Sequence, residues 1–444
     1  MDTLFSHATI VTMDDRLNLY TDAFLGVTDG KISHLGINPP EEKPEKIIDA
    51  TGMVLMPGLI NCHTHNPMSY LRGYAEDLNL HDWLTQKIFP TEKKLNARIV
   101  KASTLLSIAE ALRFGTTSFS DMYRYTDAVA EAVAESGIKA NLAQHTEYFG
   151  LEEDYDPKND PLYAEGERLH HKWHGYDNGR IRVNTCIHAE YTSKYPLWDA
   201  IAEYAINENL PVHVHLSETK QEHEDCIERT GLTPAQVLDC HHVFDRGGLA
   251  AHCVWLDEKI DMPLLAKRHV SAVHCPSSNM KLASGAANVM GMVKAGMNVC
   301  LGTDSVASNN KLDLFEEMRA AAMMAKLRTL DPTALPVEAV LMMATVCGAR
   351  AQGREKECGQ IAIGYDADLI LLDFNQPHLI PCHNVLSHLV FSASGSDVVL
   401  TMVRGKILYC AGKFPTIDLS AVLQELHDYA IPTIFSDQKE TPTA

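Results

Sequence analysis

Two histidines with one residue between them, His63 and His65, stand at the end of the apolar run Pro57-Gly58-Leu59-Ile60-Asn61-Cys62. In an extended strand, residues two apart face the same way. Both imidazoles would therefore aim at one point beyond the strand's end, an arrangement that suits zinc or another borderline divalent ion. An isolated His-x-His is more often two polar residues opening a loop, so the pair gains weight only from the rest of the chain. Further along, His188, His215, His252 and Asp304 each end a strand-like run. Each can bind a metal or move a proton. One such histidine is as readily a satisfied core residue, but so many at strand ends are hard to explain by packing. Glu218, three residues after His215, would lie beside such a centre and is a candidate for carrying a proton from an activated water to a substrate. The plainer alternative is an exposed glutamate at a helix start, where the helix dipole favours it.

The elements that must position these groups alternate from Pro57 onward. Strand-like runs fall at 57–65, 117–121, 138–143, 181–188, 211–216, 248–252, 270–274 and 297–304. Between them, Leu105, Ile108, Ala109 and Leu112 have helical spacing, stopped by Gly115. A second helix is expected around 127–136. Thr233-Pro234 offers a capping hydroxyl and a proline at the first helical position. The polar residues 150–180 read as an excursion over the active face. Eight strand–helix units predict an α/β fold, a (β/α)8 TIM-like barrel over 57–355 whose active site sits at the C-terminal ends of the strands. Residues 1–56 and 356–444 read instead as short strands. Asp29-Gly30 lies between two of them as a hairpin turn. These ends are expected to form one small β-sandwich domain built from both chain termini, with a last helix over roughly Leu419–Tyr429.

The 444 residues are 45% apolar and 22% charged, ordinary for a folded protein with a large core. A formal net charge of −20 with no long basic run argues against nucleic acid or an anionic membrane as partner, but not against a small nucleoside. The 11 cysteines are an odd number without a Cys-x-x-Cys pair, and read as buried free thiols of a reducing compartment. The first residues lack the pattern of a signal peptide, and no apolar run reaches the length of a membrane span. The expectation is a cytoplasmic protein. A homo-oligomer is compatible with the sequence, which does not specify one.

Several stretches together resemble the amidohydrolase superfamily, within its group of metal-dependent nucleobase and nucleoside deaminases. The nearest likeness is to 5′-methylthioadenosine/S-adenosylhomocysteine deaminases. The matching pieces are Pro57–His65, Leu71-Arg72-Gly73-Tyr74-Ala75-Glu76-Asp77-Leu78, Trp83-Leu84, His215-Leu216-Ser217-Glu218-Thr219, Ala251-His252-Cys253-Val254, His274-Cys275-Pro276-Ser277-Ser278-Asn279 and Gly302-Thr303-Asp304-Ser305.

The resemblance implies one divalent metal, zinc first and iron or manganese otherwise, held by His63, His65, His215 and Asp304. It implies that His252 orients or deprotonates the attacking water. Glu218 would take the water's proton and protonate the purine ring, with Asp304 as a further proton acceptor. It places His188 on the ring and Glu92 on the ribose hydroxyls, with Trp83 walling the pocket. The plainer alternatives are a surface helix cap for Glu92 and a core residue for Trp83. The implied substrate is an adenosine-type nucleoside: S-adenosylhomocysteine, 5′-methylthioadenosine, adenosine or 5′-deoxyadenosine. A carboxylate-bearing 5′ tail would need a cation, and Arg124, Arg168 and Arg180 are available by type but not placed by sequence. The alternatives are a deaminase or chlorohydrolase of the same group acting on guanine, a pterin or a triazine, and a catalytically silent metal-binding scaffold.

Overall fold

The computed structural model describes residues 1–436, so residues 437–444 of the expected terminal domain lie outside the described residues. The first five strands are β1 (Thr3–Val11), β2 (Leu19–Thr28), β3 (Lys31–Gly36), β4 (Lys46–Asp49) and β5 (Met53–Pro57). Eight more follow: β6 (Leu59–Thr64), β7 (Thr116–Tyr123), β8 (Lys139–Gln144), β9 (Ile181–Ala189), β10 (Val212–Leu216), β11 (Gly248–His252), β12 (Val270–His274) and β13 (Val299–Leu301). The last three are β14 (Leu369–Asp373), β15 (Val398–Val403) and β16 (Lys406–Cys410).

Strands β6 to β13 lie side by side in chain order, and each pair that exchanges a ladder is parallel. This is a nearly closed eight-stranded barrel. Its seam between β6 and β13 is joined by the Asp304 N–H donating to the His63 carbonyl at 2.9 Å. Beside it, Asn61 Nδ2 donates to Thr303 Oγ1 at 2.7 Å, and the Thr303 N–H donates to Asn61 Oδ1 at 3.0 Å. Gly302 lets the strands come this close: a Cβ there would meet the Cβ of His63 at 2.9 Å.

The two-residue period of β10 shows how sequence becomes placement. Val212, Val214 and Leu216 pack outward with Trp198 and Leu238 of the surrounding helices and with Phe244 of the turn before β11. His213 and His215, the alternate residues, are left to face the other way. The intervening helices include Ala97–Arg113, Thr126–Ser136 and Pro234–Cys240, the last capped by Thr233 as its sequence suggests. One expectation fails here. Residues 150–180 are not all an excursion, because Pro161–Trp173 is a helix capped by Asp160 and packed on the barrel. Its surface is almost entirely polar and it buries only Leu169 and Trp173, which hid its apolar stripe.

Both chain ends build the second sheet, in the order β16-β15-β14-β5-β1-β2-β3, with β4 beside β1. It is mixed: β1 runs parallel to β4 and β5, while β14 is antiparallel to β5. The last helix begins at Leu419 and continues, through a wider turn at Leu426–Ala430, to Phe435. No helix among the described residues is long and apolar enough to cross a membrane.

A buried charge pins the barrel to this sheet. Lys139 of β8 is fully buried and its Nζ donates to Asp366 at 2.7 Å and to Asp368, both just before β14. Burial alone would raise the Asp366 carboxyl, but the Lys139 ammonium and its hydrogen bond, with Lys31, outweigh burial and hold it at about 2. Because the unfolded value, 3.8, is higher, the contribution of Asp366 is complete above about pH 4 and is lost as pH falls through about 2. Lys139→Met leaves the buried Asp368 carboxylate without its cation and Asp366 with Lys31 and Arg404 alone. It is expected to cost about 3–5 kcal/mol at neutral pH, and the deficit is expected to shrink between pH 4 and pH 2. Urea unfolding of both proteins across that range checks this; an equal deficit at every pH would contradict it.

Candidate metal centre and active site

The strand ends bring His63, His65, His215, His252 and Asp304 to one point. The ligand atoms of His63, His65 and His215 lie within 4.8 Å of one another, as do those of His63, His252 and Asp304. Asp304 Oδ1 is 3.6 Å from His63 Nε2 and 3.4 Å from His65 Nε2. The backbone turns sharply to aim these groups. His252 and Asp304 have φ of 70° and 59°, and Ser217, between His215 and Glu218, has 47°. Non-glycine residues in this region store strain that the surrounding structure must hold, a feature that clusters at functional sites.

The hydrogen bonds of the imidazoles define what the point can bind. His65 Nδ1 lies 2.6 Å from the Met122 carbonyl, and His215 Nδ1 lies 2.7 Å from the His188 carbonyl. A carbonyl can only accept, so each neutral ring carries its proton on Nδ1 and leaves Nε2 bare. The two bare nitrogens face each other at 3.2 Å. Two lone pairs at that distance repel unless a cation lies between them. His63 Nε2 is likewise buried without a hydrogen-bond partner. The donor set, imidazole nitrogen with one carboxylate, fits zinc and its neighbours in the first transition row. Burial holds His63 down at about 4 and His215 well below the ordinary histidine value, so both stay neutral as metal ligands require.

The carboxylates are tuned apart. Burial alone would raise Asp304, but its contact with His63 and the nearby imidazoles outweigh burial and hold it below the usual carboxylate range. Ser278 and Ser308 donate to its Oδ2 at 2.7 and 2.9 Å. Glu218, by contrast, is raised by burial and by the charge of Asp304. It is 5% exposed, which rules out the surface helix-start role. Its Oε2 is 3.6 Å from His252 Nε2, and Ser284 donates weakly to its Oε1 at 3.4 Å. Burial would lower His252, but the charges of Glu218 and Asp304 raise it overall, and Asn279 Oδ1 lies 2.9 Å from its Nδ1. Glu222, not singled out by sequence, steadies this corner. Its two oxygens accept the backbone N–H groups of Ser217 at 2.9 Å and Glu218 at 2.8 Å. It is a capping-box glutamate behind Thr219, a signal the sequence does carry.

A pocket opens above this point. Its walls include Trp83, Glu92, His188, Tyr123, Leu84 and Leu282, and its floor includes His65, His215, Glu218, His252 and Asp304. The metal, proton-transfer and substrate-contact residues expected from sequence thus line the pocket, except His63, which is fully buried. Trp83 is buried, with its indole N–H unpartnered among protein groups. His188 is kept well below the ordinary histidine value by burial, and its Nδ1 lies 3.0 Å from the Thr192 hydroxyl.

The three candidate arginines separate. Arg180 is buried against the carbonyls of Val133 and Ile138, at 2.9 and 2.8 Å, and Arg168 pairs with Asp127 at 3.0 Å. Only Arg124 approaches the pocket, and it is held by Glu147 at 2.6 Å and Glu92 at 3.6 Å. His145 completes that cluster, 3.0 Å from Glu147. Nothing in local sequence marked Glu147 or His145, because Arg124, which ties them to Glu92, comes from the end of another strand.

The chain is similar to known proteins over most of its length. A profile of the amidohydrolase family matches residues 54–408. A 5′-deoxyadenosine deaminase of Methanosarcina mazei is 43% identical over 96% of each chain. A 5-methylthioadenosine/S-adenosylhomocysteine deaminase of Moorella thermoacetica is 42% identical over 90% of this chain and 93% of its own. The crystal structure of an adenosine deaminase from Xanthomonas campestris, with bound zinc, superposes with a TM-score of 0.91 at 33% identity, over 97% of this chain and 98% of that one.

Protein loaded with zinc and desalted is expected to keep one ion per chain by elemental analysis, and His215→Ala to keep almost none. Full retention by that variant would contradict the convergence of ligands described above.

Proposed function

Because the chain belongs to the amidohydrolase family, we propose that His63, His65, His215 and Asp304 hold one divalent ion, zinc in preference, and that the site deaminates an adenosine-type nucleoside. The protein is a metal-dependent hydrolytic deaminase. One observation carries the assignment of roles: two bare imidazole nitrogens 3.2 Å apart share a pocket with a buried Glu218–His252 pair and with Glu92.

When bound, the ion lowers the pKa of a water toward neutrality and so supplies the nucleophile at working pH. The rest falls to side chains. His252, fixed by Asn279, orients the water toward the ring carbon that bears the amine. Glu218 takes a proton from the water and delivers it to the adjacent ring nitrogen. Its raised affinity for protons suits a group that must both accept and donate. As oxygen bonds to the carbon, the ring C=N bond becomes single. Asp304 relays the second water proton to the amine, the C–N bond breaks, and ammonia leaves. The product is the inosine analogue. His188 packs against the ring from the end of β9, and Trp83 closes the pocket. The Glu92 carboxylate accepts from the ribose hydroxyls, a demand that a free base would not make.

The state of the arginines bears on the 5′ group. Arg124, Arg168 and Arg180 are all committed to protein partners. The site therefore favours 5′ groups without a carboxylate, such as hydroxyl, hydrogen or methylthio, over an amino-acid tail.

Ammonia release should be measured on adenosine, 5′-deoxyadenosine, methylthioadenosine, S-adenosylhomocysteine, guanine and a triazine. Turnover is expected for the adenosine derivatives, weakest for the homocysteine adduct. Glu218→Gln is expected to lower kcat by about 10²–10⁴-fold with metal content unchanged. Turnover of guanine or triazine alone would overturn the role of Glu92, and an undiminished Glu218→Gln enzyme would overturn that of Glu218.

A further inference from the structure

The alternation of Val212-His213-Val214-His215-Leu216 puts two histidines, not one, on the face of β10 opposite its apolar packing. His215 stands at the strand end. His213 lies one layer deeper and is fully buried. Its Nε2 is 2.9 Å from Nδ1 of His63, with the two rings crossing at 74°.

The three histidines of the centre differ in how their outer nitrogens are held. His65 and His215 each rest on a backbone carbonyl. For His63 the Nδ1 contact is His213. If His63 is to offer its Nε2 lone pair to an ion, its proton must sit on Nδ1, and that proton needs an acceptor. Nε2 of His213 fills the need only when His213 carries its own proton on Nδ1. That nitrogen has no hydrogen-bond partner. A buried N–H without a partner costs stability, so His213 is a poor choice for the core on packing grounds alone. The cost is intelligible if the residue serves the centre above it.

We propose that His213 is a positioning residue that fixes the tautomer and ring orientation of His63, doing by side chain what backbone carbonyls do for the other two histidines. The inference rests on the reading of His63 as a ligand. Partners of this kind typically set metal affinity by 10–100-fold.

The test is zinc affinity of apo-protein, read by competition with a chromogenic chelator, for native protein and for H213L, H213M and H213Q. Circular dichroism and thermal melting of each apo-protein report folding. Leucine and methionine remove the acceptor while filling the space, so both apo-proteins are expected to melt at or above the native temperature yet bind zinc about 10–100-fold more weakly. A role in core packing alone would not produce that split. Glutamine keeps an acceptor oxygen at similar reach and is expected to recover most of the affinity. A folded H213L or H213M that binds zinc as tightly as native protein would overturn the inference, as would an H213Q no better than H213L. Should H213L fail to fold, H213M decides. Native protein that binds no zinc would overturn the metal centre itself and this inference with it.

Discussion

The contact between Nε2 of His65 and Nε2 of His215 is the constraint from which the rest of the site follows. Both nitrogens are bare because both Nδ1 protons are spent on carbonyls, one at the end of β7 and one on β9. Two lone pairs are brought together where a cation must lie. The barrel exists, functionally, to impose that placement. Four strands supply the groups, and the seam that completes the ring is itself made by Asp304 donating its N–H to the carbonyl of His63. Breaking the barrel at that seam would therefore disperse the centre as well as open the fold.

Around that point, two buried acids of the same pocket end up with opposite shifts. Asp304 sits against imidazoles and hydroxyl donors and stays ionised; Glu218 sits against Asp304 and the pocket and is pushed toward its protonated form. Pairs of titratable groups driven apart by their surroundings divide the work of binding and proton transfer. The same logic operates behind Glu218, where burial and the charge of Glu218 raise Glu222 to about 8 while three backbone N–H groups turn toward it. The loop that aims Glu218 is thus anchored by a carboxyl that is itself part of the electrostatic set.

Much of this was legible from residue types and spacing. The eight strand ends could be found because β-branched and apolar runs alternate with helical periodicity, and His63 with His65 stood out because a strand repeats every two residues. The same period applied to His213 and His215, yet His213 looked like strand interior, since nothing local distinguishes a buried histidine that packs from one that holds a neighbour. The cluster of Arg124, Glu147 and His145 was hidden for the same reason: its members lie at the ends of β7 and β8, and only the barrel's curvature brings them to Glu92. The helix Pro161–Trp173 escaped notice because an amphipathic stripe of two buried residues is too narrow to register against a polar background.

X-ray absorption at the metal edge of zinc-loaded protein reads the ligands of the ion directly. Three imidazole nitrogens at about 2.0–2.1 Å and oxygen ligands at about 2.0–2.2 Å are expected. A sulfur neighbour at about 2.3 Å would mean that the buried cysteines, not these histidines, hold the ion. A second metal at about 3.5–4 Å would mean a two-ion centre. Either result would contradict the single centre built by His63, His65, His215 and Asp304.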